Sequence, residues 1–271
     1  SKDIAAASRI SRALAACGIA VLRFDFTGIG HSEGEFANTN FSTNVADLLC
    51  AAGAMREELG APGLLIGHSL GGAAVLAVAG DIPEARAVVT IGAPSDPAHV
   101  AHLLKDKQAE IEAEGEAEVL LAGRTFTIKR QFLRDIETQR LAERIREMRK
   151  ALLVMHSPVD EIVGIDNASA IFLAARHPKS FVSLDKADHL LTRRADSEYV
   201  ATTIGAWVSR YLLDSEDPSR VPRPKVPDGE VLVQEHDGRF AQDVYTDRHS
   251  LRADEPVDYG GKDTGPSPYE L

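Results

Sequence analysis

Residues 62 to 72 read Pro-Gly-Leu-Leu-Ile-Gly-His-Ser-Leu-Gly-Gly and run straight into Ala73-Ala74-Val75-Leu76-Ala77. The apolar run Leu64-Leu65-Ile66 predicts a buried strand, and the small-residue run after Gly72 predicts a helix. A chain passes from strand to helix across Gly67-His68-Ser69-Leu70-Gly71 only through a sharp turn, with Ser69 in a strained backbone conformation. Side chains at Gly67 and Gly71 are expected to strike the neighbouring strand or helix, and Gly72 adds clearance. The same residues also read as a glycine-rich turn whose serine only caps the helix. Their placement between a buried strand and a small-residue helix favours a serine presented as a nucleophile.

Around this turn, strands and helices alternate. Helical spacing over residues 3 to 16 stops at Gly18, and Ile19 to Phe24 predicts a buried strand. A loop follows, Asp25-Phe26-Thr27-Gly28-Ile29-Gly30-His31-Ser32-Glu33-Gly34, and then a helix from about Thr43 to Leu59. Further strands are expected at Ala87 to Ile91, Leu152 to Met155 and Phe181 to Leu184, with helices at Ala168 to Ala175 and Ser197 to Leu213. Such alternation implies an α/β fold with a mostly parallel sheet covered by helices on both faces. It is interrupted at about residues 97 to 150. There His102 to Glu118 (polar, acidic) and Lys129 to Lys150 (amphipathic, basic) predict the helices of a cap over the active-site end of the sheet.

Residues 214 to 228 are rich in proline and charge and predict an extended linker after a first domain of residues 1 to 213. Beyond it, Glu230 to Glu235 and Arg239 to Thr246 predict two strands around an Asp237-Gly238 turn. Two strands bury no core of their own, and Tyr269-Glu270-Leu271 opens like a helix, so residues 229 to 271 are expected to begin a domain that is cut off.

The net charge of −11 disfavours nucleic acid or an anionic membrane as the main partner. Cys17 and Cys50 lack metal-ligand spacing and are expected to be small core residues, which suits a reducing cytoplasm. There is no apolar run of membrane-spanning length. No cofactor is implied, and with no His, Cys and carboxylate cluster at ligand spacing a metal-free mechanism is favoured.

A serine hydroxyl needs a histidine base, and the base needs a carboxylate to orient it. After the strand ending at Met155 comes His156-Ser157-Pro158-Val159-Asp160-Glu161-Ile162-Val163, where Asp160 is the choice for the acid. Glu161 and Asp166 compete with it, although Asp166 is better suited to capping the next helix. After the strand ending at Leu184 comes Asp185-Lys186-Ala187-Asp188-His189, where His189 is the choice for the base. Ser69 would then attack an ester, thioester or amide carbonyl, and water would hydrolyse the acyl-enzyme. The Leu70 backbone N–H supplies one oxyanion donor. Gly28, His31, Gly67, His68 and Gly71 are expected around the pocket and the elbow, with His68 packing locally and His156 supporting the acid loop.

Together, Gly67-His68-Ser69-Leu70-Gly71-Gly72, the Asp25 to Ser32 loop and the ordered Asp160 and His189 resemble the α/β-hydrolase superfamily, over about residues 1 to 213. The similarity is to its serine aminopeptidase, lysophospholipase and dienelactone-hydrolase-like branches. It implies a serine hydrolase with a small-molecule acyl substrate. It also implies a second oxyanion donor from a strand and loop before the first helix, expected to be missing because that helix begins almost at Ser1. Gly260-Gly261-Lys262-Asp263-Thr264-Gly265-Pro266-Ser267-Pro268-Tyr269-Glu270-Leu271 resembles the segment leading into the central helix of the OsmC family. The whole chain thus resembles a bacterial, bifunctional hydrolase and OsmC-like fusion, truncated at both ends. That resemblance implies homodimerisation through the OsmC-like part, with its peroxide-reducing cysteines lying beyond this chain and Arg239 as a loose match to a helper arginine. It also leaves open a non-catalytic hydrolase module serving the OsmC-like part.

Overall fold

A computed structural model describes residues 2–99, 104–121, 124–212, 224–235, 239–267 and 269–270. The chain divides into two compact units, Ser1–Leu212 and Leu213–Leu271. The first unit is built on a parallel four-stranded sheet of β1 (Leu64–His68), β2 (Ala87–Ile91), β5 (Ala151–His156) and β6 (Lys179–Ser183), in that spatial order. Its two central strands are apolar along almost their whole length, as a sheet covered on both faces requires.

The two-residue period of each strand sends alternate side chains to different cores. Val88, Leu152 and Val154 point into one core, shared with α3 (Leu70–Val78) and Phe41 and Ala52 of α2 (Phe41–Glu58). Val89, Ile91, Leu153 and Met155 point into the other, with Ile10 and Leu14 of α1 (Ala5–Ala16) and Val200 and Ile204 of α8 (Arg194–Leu212). Helix α3 is buried from Gly72 to Val78, which explains why it carries no polar face. Helix α2 begins at a capping box in which Asn40 accepts from the Thr43 N–H and the Thr43 side chain accepts from the Asn40 N–H.

Several expectations need correction. Ile19 to Phe24 belongs to no strand, and Val21 and Leu22 are exposed. Among the described residues no strand lies beside it to complete a ladder, and β1 pairs only with β2. The insert after β2 is not purely helical. Helix α4 (Lys105–Glu114) ends at Gly115, whose φ of +93° suits a left-handed cap. An antiparallel hairpin follows, β3 (Glu116–Leu121) with β4 (Arg124–Lys129), because Ala117, Val119 and Ile128 supply buried positions at strand spacing.

The long basic helix is instead two, α5 (Arg130–Glu137) and α6 (Leu141–Glu147), separated at Thr138 to Arg140. Ile111, Phe132, Leu133, Ile136, Leu141 and Ile145 join the α2–α3 core, so the insert is part of that core. Asp166 is the first residue of α7 (Asp166–Ala174) and makes no cap hydrogen bond there. Cys17 and Cys50 are both exposed free thiols, because the apolar faces of their helices turn other residues inward. His102 and the Asp237-Gly238 turn lie outside the described residues, as does most of the proposed linker.

The second unit is an antiparallel sheet in the order β7 (Leu232–Glu235), β8 (Gln242–Tyr245) and β9 (Ser250–Ala253), one strand more than the sequence suggested. Buried Asp254 accepts from the N–H groups of Glu255, Lys262 and Thr264 and from the Thr264 hydroxyl, closing the glycine-rich segment over β9. A Cβ on Gly265 would lie 2.1 Å from the Arg252 carbonyl oxygen, so this segment passes too close for any side chain.

The core makes a direct demand on stability. Truncating fully buried Leu153 to alanine is expected to cost roughly 2–5 kcal/mol, whereas Leu120→Ala on the exposed face of β3 should stay within about 0.5 kcal/mol. Urea unfolding of both variants checks this.

Candidate active site

The sheet ladder continues past the strand ends and fixes the loops that carry Ser69, Asp160 and His189. Ser69 N–H donates to the Ile91 carbonyl (2.9 Å), Gly92 N–H to Met155 (2.9 Å) and Leu184 N–H to His156 (2.9 Å). The turns after β1, β2, β5 and β6 are therefore tied to one another at one edge of the sheet.

Ser69 occupies φ +53°, ψ −130°, a region that costs a non-glycine residue of order 1–3 kcal/mol. Its side chain makes no cap hydrogen bond to α3, so the capping role is not the one it plays. A Cβ on Gly67 would lie 2.3 Å from the Gly71 carbonyl oxygen, and one on Gly72 would lie 2.5 Å from the Ala93 methyl. Gly71 has open space instead, which corrects the expectation of a clash there. The tight pair is Gly67 and Gly72, because it is Gly72 that faces the turn after β2. Leu70 opens α3, so its backbone N–H is one of those with no carbonyl a turn back to bond.

The three residues singled out for chemistry are brought together. His189 Nε2 lies 3.0 Å from Ser69 Oγ, and His189 Nδ1 lies 2.8 Å from Asp160 Oδ2. A carboxylate only accepts, so Nδ1 carries the proton and Nε2 is left to accept from the serine hydroxyl. Asp160 has its carboxylate almost wholly out of solvent, and its other oxygen accepts from the Ile162 and Val163 N–H groups at 2.9 Å each. Burial alone would raise its pKa. The hydrogen bonds from His189, Val163 and Ile162 outweigh burial and hold it below the usual carboxylate range. Asp188, beside the base, accepts from the Leu190 and Thr192 N–H groups and the Thr192 hydroxyl, and so shapes the loop.

Two contributors escaped the sequence reading. Gly92 has φ +54°, and a Cβ there would come 3.2 Å from Asp160 Oδ2 and 3.4 Å from His189 Nδ1, against the acid–base bond itself. Its position at a strand end before Ala93-Pro94 was the available signal. Asn167 is buried and accepts through Oδ1 from the Ser95 N–H and hydroxyl, tying the loop after β2 to α7.

His156 is fully buried and donates from Nε2 to the Val163 carbonyl at 2.7 Å, which holds the acid loop as expected. Its Nδ1 has no hydrogen-bond partner among the described residues. His68 lies against His189, and burial together with that neighbour lowers its pKa to about 4.

Gly28 and His31 do not join this group. Gly28 has φ +72° and its missing Cβ would strike the Phe36 backbone at 2.2 Å, so it closes a tight turn. His31 is largely exposed, with Nδ1 3.4 Å from Asp3 and 3.8 Å from Asp25. The three could in principle hold a metal ion, a grouping that the spacing of residues 3, 25 and 31 concealed. However, the Lys2 ammonium already stands 2.8 Å from Asp3 and 3.5 Å from Asp25 as their countercharge.

A positive-φ serine between a parallel strand and a buried helix, facing a histidine and carboxylate on later strand ends, defines an α/β-hydrolase-type enzyme. Residues 3–111 match the serine aminopeptidase, S33, family. A solved esterase domain of a Rhodothermus marinus protein is 54% identical, with 78% of this chain and 82% of that chain covered and a TM-score of 0.64. Palmitoyl-protein thioesterase ABHD10, mitochondrial, of Mus musculus is 29% identical over 196 residues, which is 69% of this chain and 64% of that protein. Est1E of Butyrivibrio proteoclasticus, solved with ferulic acid bound, shares the fold at 18% identity and a TM-score of 0.64, with 78% and 85% covered. The chain belongs to the α/β-hydrolase family, and the similarity to the serine aminopeptidase, S33, family covers its residues 3–111. It spans somewhat less than two thirds of the mouse protein's length.

The turn geometry separates two neighbouring glycines. Gly72→Ala is expected to lower the melting temperature by several degrees, and Gly71→Ala to leave it unchanged, in a thermal scan of both. The lowered pKa of His68 has a pH signature. The unfolded chain binds a proton near pH 6.5 that the folded chain takes up only near 4, so this stability is full above 6.5 and is lost as pH falls towards 4. The loss is expected to be roughly 3 kcal/mol. Urea unfolding at pH 7 and pH 4.5 should show it in the wild type and a smaller drop in His68→Gln.

Proposed function

We propose that the first unit hydrolyses a small acyl substrate, an ester or thioester in preference to an amide, through an acyl-enzyme on Ser69. The observation that carries this reading is the unbroken relay from Ser69 Oγ through His189 to Asp160, at 3.0 and 2.8 Å. The Ser69 oxygen attacks the carbonyl carbon while its proton passes to His189 Nε2. The oxyanion forms beside the Leu70 N–H, a donor whose kind is worth about a hundredfold or more in rate. Collapse expels the leaving group, which takes the proton from His189. Water, deprotonated by the same nitrogen, then attacks the acyl carbon, releasing the acid and restoring Ser69. Asp160 stays ionised throughout, holding the Nδ1–H tautomer and stabilising the imidazolium. Ester or thioester chemistry is supported by the Rhodothermus esterase domain and the mouse thioesterase, each named for that activity.

No cofactor enters these steps, and the acidic chain favours neither nucleic acid nor an anionic membrane as partner. Among the described residues no helix is long and apolar enough to cross a membrane. Free, exposed Cys17 and Cys50 are compatible with a reducing, cytoplasmic setting.

For the second unit the reading is an OsmC-like segment. It is supported by the β7–β8–β9 sheet, by the Asp254-centred closure of the glycine-rich segment and by the turn that follows. There Glu270 accepts from the Ser267 N–H, one half of a capping box. Arg239 is exposed. On this reading, homodimerisation belongs to the OsmC-like part.

Intact-mass spectrometry after fluorophosphonate treatment tests the triad. One adduct on Ser69 is expected in the wild type and none in Ser69→Ala, with labelling slowed roughly a thousandfold or more in Asp160→Asn. Equal labelling of wild type and Ser69→Ala would refute the assignment. No adduct on folded protein would favour the non-catalytic reading, in which the hydrolase unit serves the OsmC-like part.

A further inference from the structure

One half-buried titratable group at the site takes no part in the acyl-transfer steps. His68 ends β1, immediately before the nucleophile, and its ring packs 4.9 Å from the His189 ring at 45°. Its Nε2 lies 2.6 Å from the backbone carbonyl oxygen of His189, 121 residues further along the chain. A carbonyl only accepts, so Nε2 bears a proton. We propose that His68 is a positioning residue for acyl transfer: its Nε2–H, fixed to the nucleophile's own strand, holds the backbone of the base and so sets the approach of His189 to Ser69. This rests on the triad reading above.

The mechanical argument starts from where His189 sits. It lies on the loop between β6 and α8, a segment with left-handed residues at Asp185 and Leu191, and no strand holds its backbone directly. Asp160, on the loop after β5, fixes the ring only at Nδ1. A ring pinned at one nitrogen still pivots, and the pivot moves Nε2 towards or away from Ser69. The bond from His68 adds a second point of attachment, on the backbone side of the ring and from β1. With both in place, the base is clamped between the strand that carries the nucleophile and the strand that carries the acid. A misplacement of about 1 Å in such a geometry costs on the order of a hundredfold in rate.

The chemistry of the side chain suits the task. Imidazole is rigid and short, so its donor is aimed by the strand and does not search for its acceptor. It is also uncharged here at neutral pH, because burial and the adjacent His189 disfavour its cation. A lysine or arginine donor in this place would set a permanent positive charge beside the imidazolium that His189 becomes in the transition state.

The test compares the whole chain with His68→Phe, which fills the space without a donor, and His68→Gln, whose amide N–H reaches about as far as Nε2. Each is assayed for kcat and KM with p-nitrophenyl butyrate and for the rate of fluorophosphonate labelling at Ser69. His68→Phe is expected to lose 10- to 100-fold in kcat and in labelling with KM within about twofold, and His68→Gln to recover most of that loss. Wild-type rates in the phenylalanine variant would overturn the proposal, as would equal losses in both variants, which would mark a packing role. If His68→Phe does not fold, imidazole nitrogen NMR of the wild type decides: a slowly exchanging Nε2–H with a bare Nδ1 at pH 7 supports the clamp, and a freely exchanging or doubly protonated ring refutes it. A wild type that neither labels nor turns over refutes the triad reading itself, a result distinct from any difference among the variants.

Discussion

The parallel register of β1, β2, β5 and β6 is the constraint on which the site depends. Because the four strands run the same way, their last residues share one edge, and chain segments far apart in sequence leave the sheet side by side. Ser69 is separated from Asp160 and His189 by long stretches of chain that include the whole insert. Ladder bonds from Ser69 to Ile91, Gly92 to Met155 and Leu184 to His156 nevertheless hold their loops as neighbours. The alternation of side chains along β2 and β5 fills both cores at once, so any slip of register would empty both. Hydrophobic burial thus fixes the distances between polar groups that do no burying themselves.

Around the triad these polar groups are arranged in defined hydrogen-bonded pairs. Asp160 is nearly inaccessible, yet it receives two backbone N–H groups and one imidazole N–H, which keeps it ionised where desolvation would protonate it. Two strand-end histidines do related work: His156 holds the carbonyl of Val163 beside the acid, and His68 holds the carbonyl of the base. Gly92 leaves the room in which acid and base meet. The strained Ser69 backbone persists because α3, packed on all sides, has no alternative position to which the turn could relax.

Much of this was legible in the sequence, for physical reasons that can be named. Gly67 to Gly72 between an apolar run and a small-residue run admits few conformations, and a serine there calls for a base and an acid after later strands. What stayed hidden depended on distance between segments. Gly71 and Gly72 look alike in sequence, and only the approach of Ala93 makes the second the tight one. Gly92 and the donor role of His68 emerge only when strands and loops are placed beside each other. The hairpin Glu116 to Lys129 looks partly helical in sequence because its charged outward positions mask a short alternation of buried ones. Ile19 to Phe24 has strand composition but no neighbouring ladder, and composition cannot supply one. Cys17 and Cys50 show that small residues on a helix follow its face, not their own apolarity.

The central claim is that Ser69, His189 and Asp160 act as one unit. The most direct measurement is a double-mutant cycle on the turnover of an activated ester, with His189→Ala, Asp160→Asn and the two combined. If the carboxylate works only through the imidazole, the double variant will be no slower than His189→Ala alone. Losses that multiply, with the double variant slower by the product of the two single effects, would contradict the account and assign Asp160 a separate task.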